Sequence, residues 1–185
     1  MLKRVARLLL WVGGWTPVGE IPAVPKAVFI AAPHTSNWDG FWALTYKVWM
    51  GIDIYFFAKH TLFWFPLGLL LRGLGGIPLD RSRAGSAVAI AVGMFEANER
   101  FYFGLAPEGT RALRGAWKSG FYRIATDAKV PILLGFLDYR NKRIGIGGQL
   151  DVTGDTDVDL QKCADFYASI EGRWPERTSP VRFAK

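Results

Sequence analysis

The sequence predicts a single α/β domain, with a largely parallel or mixed central sheet flanked by helices and an interfacial helix at the N-terminus. Three observations carry that expectation. Short continuous apolar runs such as Ala27-Val28-Phe29-Ile30-Ala31 read as strands buried on both faces, the pattern of parallel sheets. Segments with helical spacing separate these runs, so strands and helices alternate. The chain has 185 residues, half of them hydrophobic, enough for one core with little room for a second.

Each element follows from its local signals. Lys3, Arg4 and Arg7 precede the apolar run Leu8–Trp15. That run is too short for a spanning helix and lacks a small-residue cleavage site, so residues 1–26 read as a membrane-associating segment. Within it, residues 1–15 are expected as a helix on the cytoplasmic leaflet, where each basic residue adds about 1 kcal/mol near anionic lipid. A helix packed on the domain is the alternative. The folded domain then runs over 27–185. After the strand at 27–31 comes a helix over 41–50, opened by Ser36 or Asn37 as its cap. A strand at 54–58 leads into a helix over 61–73 that breaks near Pro66. Gly75-Gly76 turns into a strand at 77–79, and Val88, Ala91, Val92 and Phe95 line one face of a helix over 85–98. A strand at 101–105, a helix over 117–127 and a strand at 131–137 follow. An edge strand at 142–146 and a helix over 160–171 complete the pattern.

Composition narrows the partners. Lys and Arg number 23 against 16 acids, a net charge of +7 with no basic tail. Such an excess suits nucleic acid, an anionic membrane or phosphorylated substrates. The 13 Phe, 8 Trp and 6 Tyr sit among aliphatics, as in Leu62-Phe63-Trp64-Phe65, rather than between basic residues. That argues against nucleic acid and for a membrane interface or lipid pocket. One cysteine, Cys163, excludes an intrachain disulfide and a cysteine-rich zinc site. The run Asp155-Thr156-Asp157-Val158-Asp159 begins like a calcium loop but has Leu160 and Phe166 where that loop needs Gly and Glu. With only two histidines, His34 and His60, no metal centre is expected.

In α/β sheets, chemistry collects beyond the carboxyl ends of the strands. Three expected loops lie there: Pro33–Asp39, Ala58–His60 and Ala106–Arg111. His34 and Asp39 are five apart across a strand-to-helix turn, a spacing that lets a carboxylate fold back onto an imidazole and fix its tautomer. An Asp that only caps the helix, beside a buried His, is the competing reading. Glu108-Gly109-Thr110-Arg111 combines a carboxylate, a permissive glycine, a hydroxyl and a guanidinium, and Arg114, Lys118 and Arg123 follow with no intervening acid. Backbone N–H groups with Arg suit a phosphate. There is no Gly-x-Ser-x-Gly elbow, Walker loop or His-Glu-x-x-His helix.

Together these blocks resemble the glycerolipid acyltransferases of the lysophosphatidic acid acyltransferase type. The resemblance spans about residues 27–138. His34-Thr35-Ser36-Asn37-Trp38-Asp39 is similar to that family's His-x-Ser-x-x-Asp motif, and Lys59, Pro66, Gly68, Gly75 and Arg81 fall in register with its second motif. Pro107-Glu108-Gly109-Thr110-Arg111 resembles the third and Val130-Pro131-Ile132 the fourth. The resemblance implies that 27–185 is an acyltransferase domain moving a fatty acyl group from acyl-CoA or acyl carrier protein to a lysophospholipid hydroxyl. It implies His34 as general base, oriented by Asp39. Ser36, Lys59, Arg81, Glu108, Gly109, Thr110 and Arg111 would bind substrate, and the apolar 62–71 region would wall the acyl chain. The resemblance implies no metal and no bound cofactor, and the N-terminal segment gives the expectation of a peripheral or monotopic protein on the cytoplasmic face of the inner membrane. Transfer to a glycolipid, amino lipid or carotenoid glycoside, or hydrolysis of the thioester, are the alternatives.

Overall fold

A computed structural model of the chain describes residues 1–20, 23–80 and 84–184. Its centre is one seven-stranded sheet. In chain order the elements are α1 (Leu2–Val12), β1 (Thr16–Val18), β2 (Lys26–Ala32), α2 (Asn37–Met50), β3 (Ile54–Lys59), α3 (Leu67–Gly73), β4 (Gly76–Leu79), α4 (Ala84–Ala97), β5 (Phe101–Leu105), α5 (Gly120–Ala128), β6 (Ile132–Asp138), β7 (Arg143–Leu150) and α6 (Thr156–Tyr167). The strand order is β1-β7-β6-β2-β5-β3-β4. Strands β2 to β6 run parallel to one another, while β7 is antiparallel to β6 and carries β1 parallel beside it.

The alternating faces of β2 explain the layers. Val28, Ile30 and Ala32 point into a core shared with Phe95 of α4, Phe121 of α5 and Leu160 of α6. Ala27 and Phe29 point the other way, into a second core with Leu10 of α1, Tyr46 of α2 and Trp15. The sheet is therefore buried on both faces, as its continuous apolar runs require. Phe95, Phe103 and Phe121 are each at most 1% exposed; cutting any one to Ala costs about 3–5 kcal/mol. The crossovers from β2 to β3 and from β3 to β4 move the same way across the sheet, so α2 and α3 share a face. Lys47 of α2 marks that neighbourhood by donating to the Leu74 carbonyl at the end of α3.

Four expectations need correction. The strand expected at 142–146 extends over β7, and it is internal rather than an edge. The edge is β1, a three-residue strand carrying Pro17, too short to show in the sequence and placed where proline is tolerated. The helix expected from 160 begins at Thr156, because Asp155 accepts from the N–H groups of Asp157 and Val158, both at 3.1 Å. Asp159 is buried and accepts from Thr153 and Tyr122, so capping and packing account for the acidic run. The 61–73 segment divides into a 3₁₀ turn over His60–Leu62 and α3. The helix expected from 117 starts at Gly120, since Trp117 instead pairs its backbone with the C-terminal segment at Phe183. Among the described residues, no helix is long and apolar enough to cross a membrane.

Candidate active site

Since β2 to β6 run in one direction, their carboxyl ends share one rim. His34 follows β2, Lys59 ends β3, Glu108 follows β5 and Tyr139 follows β6. At a strand spacing of about 4.8 Å, Lys59 stands about 10 Å along the rim from the end of β2, with β5 between.

The loop after β2 is ordered by the start of α2. Ser36 is the cap: its hydroxyl accepts from the Trp38 N–H at 3.2 Å, and Asp39 returns a bond to the Ser36 N–H at 2.8 Å, closing a capping box. The same Asp39 Oδ2 accepts from the Thr35 N–H at 2.7 Å and lies 3.3 Å from His34 Nδ1. One carboxylate therefore both caps the helix and faces the imidazole. Asp39 is 2% exposed and the His34 ring 24%, so the carboxylate is sealed in while the imidazole reaches solvent. Burial pushes the Asp39 carboxyl up, but His34, Tyr139 and the Ser36 N–H outweigh it and hold the group below its usual range.

Glu108 anchors the loop from the β5 side. It is 1% exposed, accepts from the His34 N–H at 2.6 Å through Oε1, and from the Ser179 N–H at 3.4 Å through Oε2. Burial raises its carboxyl above the usual value, against those hydrogen bonds. Gly109 turns the chain at φ +66°, in the left-handed region that a side chain rarely adopts. A Cβ there would also crowd the Lys118 side chain. Thr110 is half-buried and Arg111 exposed beside it. Glu108 also borders a groove of about 1210 Å³, lined further by Arg114, Lys118, Gln161, Arg182 and Phe183.

Of the sequence-derived candidates, the structure brings His34, Ser36, Asp39 and Glu108 into one bonded cluster, with Gly109, Thr110 and Arg111 following Glu108. Lys59 lies further along the rim and is exposed, and Arg81 lies outside the described residues. The apolar 62–71 segment does not form a closed wall: Trp64, Phe65, Leu69 and Leu70 are 59–80% exposed. Sequence reasoning missed the far-chain partners. Tyr139 donates to Asp39 Oδ1 at 2.7 Å. The buried Thr35 hydroxyl accepts from the Trp174 N–H at 3.1 Å, and Ser179 reaches Glu108. Arg173 stacks over both Trp38 and Trp174. The signal for Tyr139 was present: it immediately follows a strand that lies next to β2.

The structure is an α/β fold with a mixed sheet, in which a histidine faces a buried carboxylate beyond the ends of the parallel strands. The chain belongs to the acyltransferase family, whose model matches residues 19–133. Its fold is similar to that of the 1-acyl-sn-glycerophosphate (LPA) acyltransferase PlsC from Thermotoga maritima, with a TM-score of 0.63 at 20% identity over 89% of this chain and 74% of that one. A search of curated proteins finds no match.

Proposed function

We propose that this acyltransferase esterifies the free hydroxyl of a lysophosphatidate-like lysophospholipid, using the thioester of acyl-CoA or acyl carrier protein. The observation that supports it most is the His34–Asp39 pair, with Nδ1 facing the carboxylate at 3.3 Å and Nε2 left for a substrate. In this reading Asp39 holds the Nδ1–H tautomer, and His34 Nε2 takes the hydroxyl proton as the oxygen attacks the thioester carbonyl. The tetrahedral intermediate collapses by breaking the carbon–sulfur bond, and the thiolate leaves with the proton from His34. The products are an ester and a free thiol, with no acyl-enzyme. General-base help of this kind contributes about 10²–10⁴ in rate.

Gly109, Thr110 and Arg111 supply a turn, a hydroxyl and a guanidinium suited to the acceptor phosphate, with Lys59 as a further cationic contact along the rim and Arg81 as another that the family resemblance implies. Ser36 and Glu108 serve by fixing the loop that carries His34. The exposed apolar residues support a peripheral seat on the cytoplasmic face of the inner membrane. Leu2, Val5, Leu9 and Val12 form an exposed row on α1, and Trp38 and Phe41 open α2. Phe65, Leu69 and Leu70 project at α3, and Lys3, Arg4 and Arg7 complement anionic lipid.

The test incubates purified protein with long-chain acyl-CoA, or acylated carrier protein, and a panel of lysophospholipids, following thiol release and lipid mass. A diacyl product that falls at least a hundredfold in His34→Ala and Asp39→Asn supports the reading. Thiol release without an acylated lipid would overturn it in favour of hydrolysis.

A further inference from the structure

Asp39 is held unevenly. Two N–H groups, of Thr35 and Ser36, donate to Oδ2 at 2.7 and 2.8 Å, and His34 Nδ1 faces the same oxygen at 3.3 Å. Oδ1 is met by the Tyr139 hydroxyl at 2.7 Å. A carboxylate pinned at one oxygen keeps a soft torsion, because rotation about its last bond is broad and roughly two-fold. The second attachment removes that freedom. It sets the plane of the carboxylate and so the direction in which Oδ2 faces the imidazole.

Tyr139 is itself braced. Trp15, a buried residue between α1 and β1, meets its ring edge-on with centroids 4.9 Å apart. Lys142 lies over the same ring at 5.7 Å. Burial, then the bond to Asp39, pushes the phenol above its ordinary value, with Arg173 pulling the other way, so the hydroxyl stays a donor across the neutral range. The charged groups around the pair are thus His34 on the β2–α2 loop, Glu108 beyond it, Lys142 on the β6–β7 turn and Arg173 on the C-terminal segment. Tyr139 also lies outside the stretch that matches the family, residues 19–133.

We propose that Tyr139 is a positioning residue that orients the Asp39 carboxylate, and through it the His34 imidazole, for proton abstraction. This rests on the His34–Asp39 reading above. It predicts a defect in the chemical step that leaves substrate binding alone.

The experiment compares wild type, Tyr139→Phe, Trp15→Phe, His34→Ala and Asp39→Asn in the full chain. Tyr139→Phe keeps the ring against Trp15 and removes only the hydroxyl. It is expected to lower kcat about tenfold while KM for both substrates stays within about twofold. A structural readout separates orientation from general loosening. The chain has two histidines, so ¹⁵N-labelled imidazole spectra contain two ring systems, and His60→Gln assigns them. Wild-type His34 is expected as one Nδ1–H tautomer and Tyr139→Phe as a mixture. Trp15→Phe loosens the tyrosine from behind and is expected to fall between them, which keeps the proposal testable if Tyr139→Phe folds poorly. Unchanged kcat and tautomer in both variants overturn it, as does a rise in KM alone. Retained activity in His34→Ala or Asp39→Asn instead overturns the dyad reading on which it stands.

Discussion

Two buried carboxylates of opposite titration behaviour hold the His34 loop, and each makes a different prediction. Asp39 lies below its ordinary value of about 3.8, because donors outweigh its burial. A group depressed in the fold stabilises it above the unfolded value, and that stabilisation is lost as pH falls through the lower folded value. Glu108 is raised above its ordinary 4.5, because burial outweighs its donors. Its sign is reversed: the favourable contribution exists below the unfolded value and is lost as pH rises through the folded one. Thermal melts from roughly pH 3 to pH 7 should therefore show Asp39→Asn flattening the acid limb and Glu108→Gln flattening the decline above it. Parallel limbs in wild type and both variants would contradict the assignment. The sequence displayed the His–Asp spacing because five residues span one helix start. It showed Tyr139 only as the residue after a strand; the bond to Asp39, which joins positions 100 apart, left no local mark.

Among the elements, α2 was the most legible and α6 the least, for one reason. Both start at a side-chain cap, but Ser36, the cap of α2, follows a recognisable buried strand, whereas Asp155 sits in a run that resembles a metal loop. Hydrophobic periodicity then placed the α6 start four residues late, showing that capping chemistry overrides periodicity at a helix end. The exposed row on α1 gives the prediction at this scale. Ala6 and Leu10 hold the helix to the domain while Leu2, Val5, Leu9 and Val12 face outward. Replacing Val5 and Leu9 with Ser should leave the melting temperature nearly unchanged, because neither side chain is in the core. Partitioning to anionic vesicles should weaken by roughly threefold to tenfold per residue, since the exposed 49% of Val5 and 38% of Leu9 carry under half of the ~1.5–3 kcal/mol of a full burial. Equal co-sedimentation of variant and wild type would remove α1 from the membrane seat.

Over the whole molecule, the rim of parallel strand ends was predictable from the alternation of runs, but its closure was not. The segment after α6 packs back across the site: Gly172 against Thr35 and Pro33, Trp174 on the Thr35 hydroxyl, and Ser179 between Glu108 and the Arg114 N–H. Nothing in the local composition of 171–184 marks its bonds to Thr35 and Glu108, because both are made by backbone N–H groups that every residue carries. A chain ending at Ile170 should keep the sheet, lose most activity, and melt several degrees lower, as Phe183 and Val181 pack on the larger core. Activity equal to wild type would show that the segment is dispensable.

Those distant bonds also fix when the protein becomes active during its own synthesis. His34 and Asp39 leave the ribosome early, but Trp174, which reaches Thr35, lies 139 positions further along the chain. At about 5–20 residues per second, that interval lasts on the order of ten seconds. For all of it the histidine loop stands without Trp174 and Ser179, and for most of it without Tyr139. A nascent or prematurely terminated chain therefore displays the histidine motif without Tyr139, Trp174 and Ser179, and on the proposed reading such products are expected to turn over no thioester.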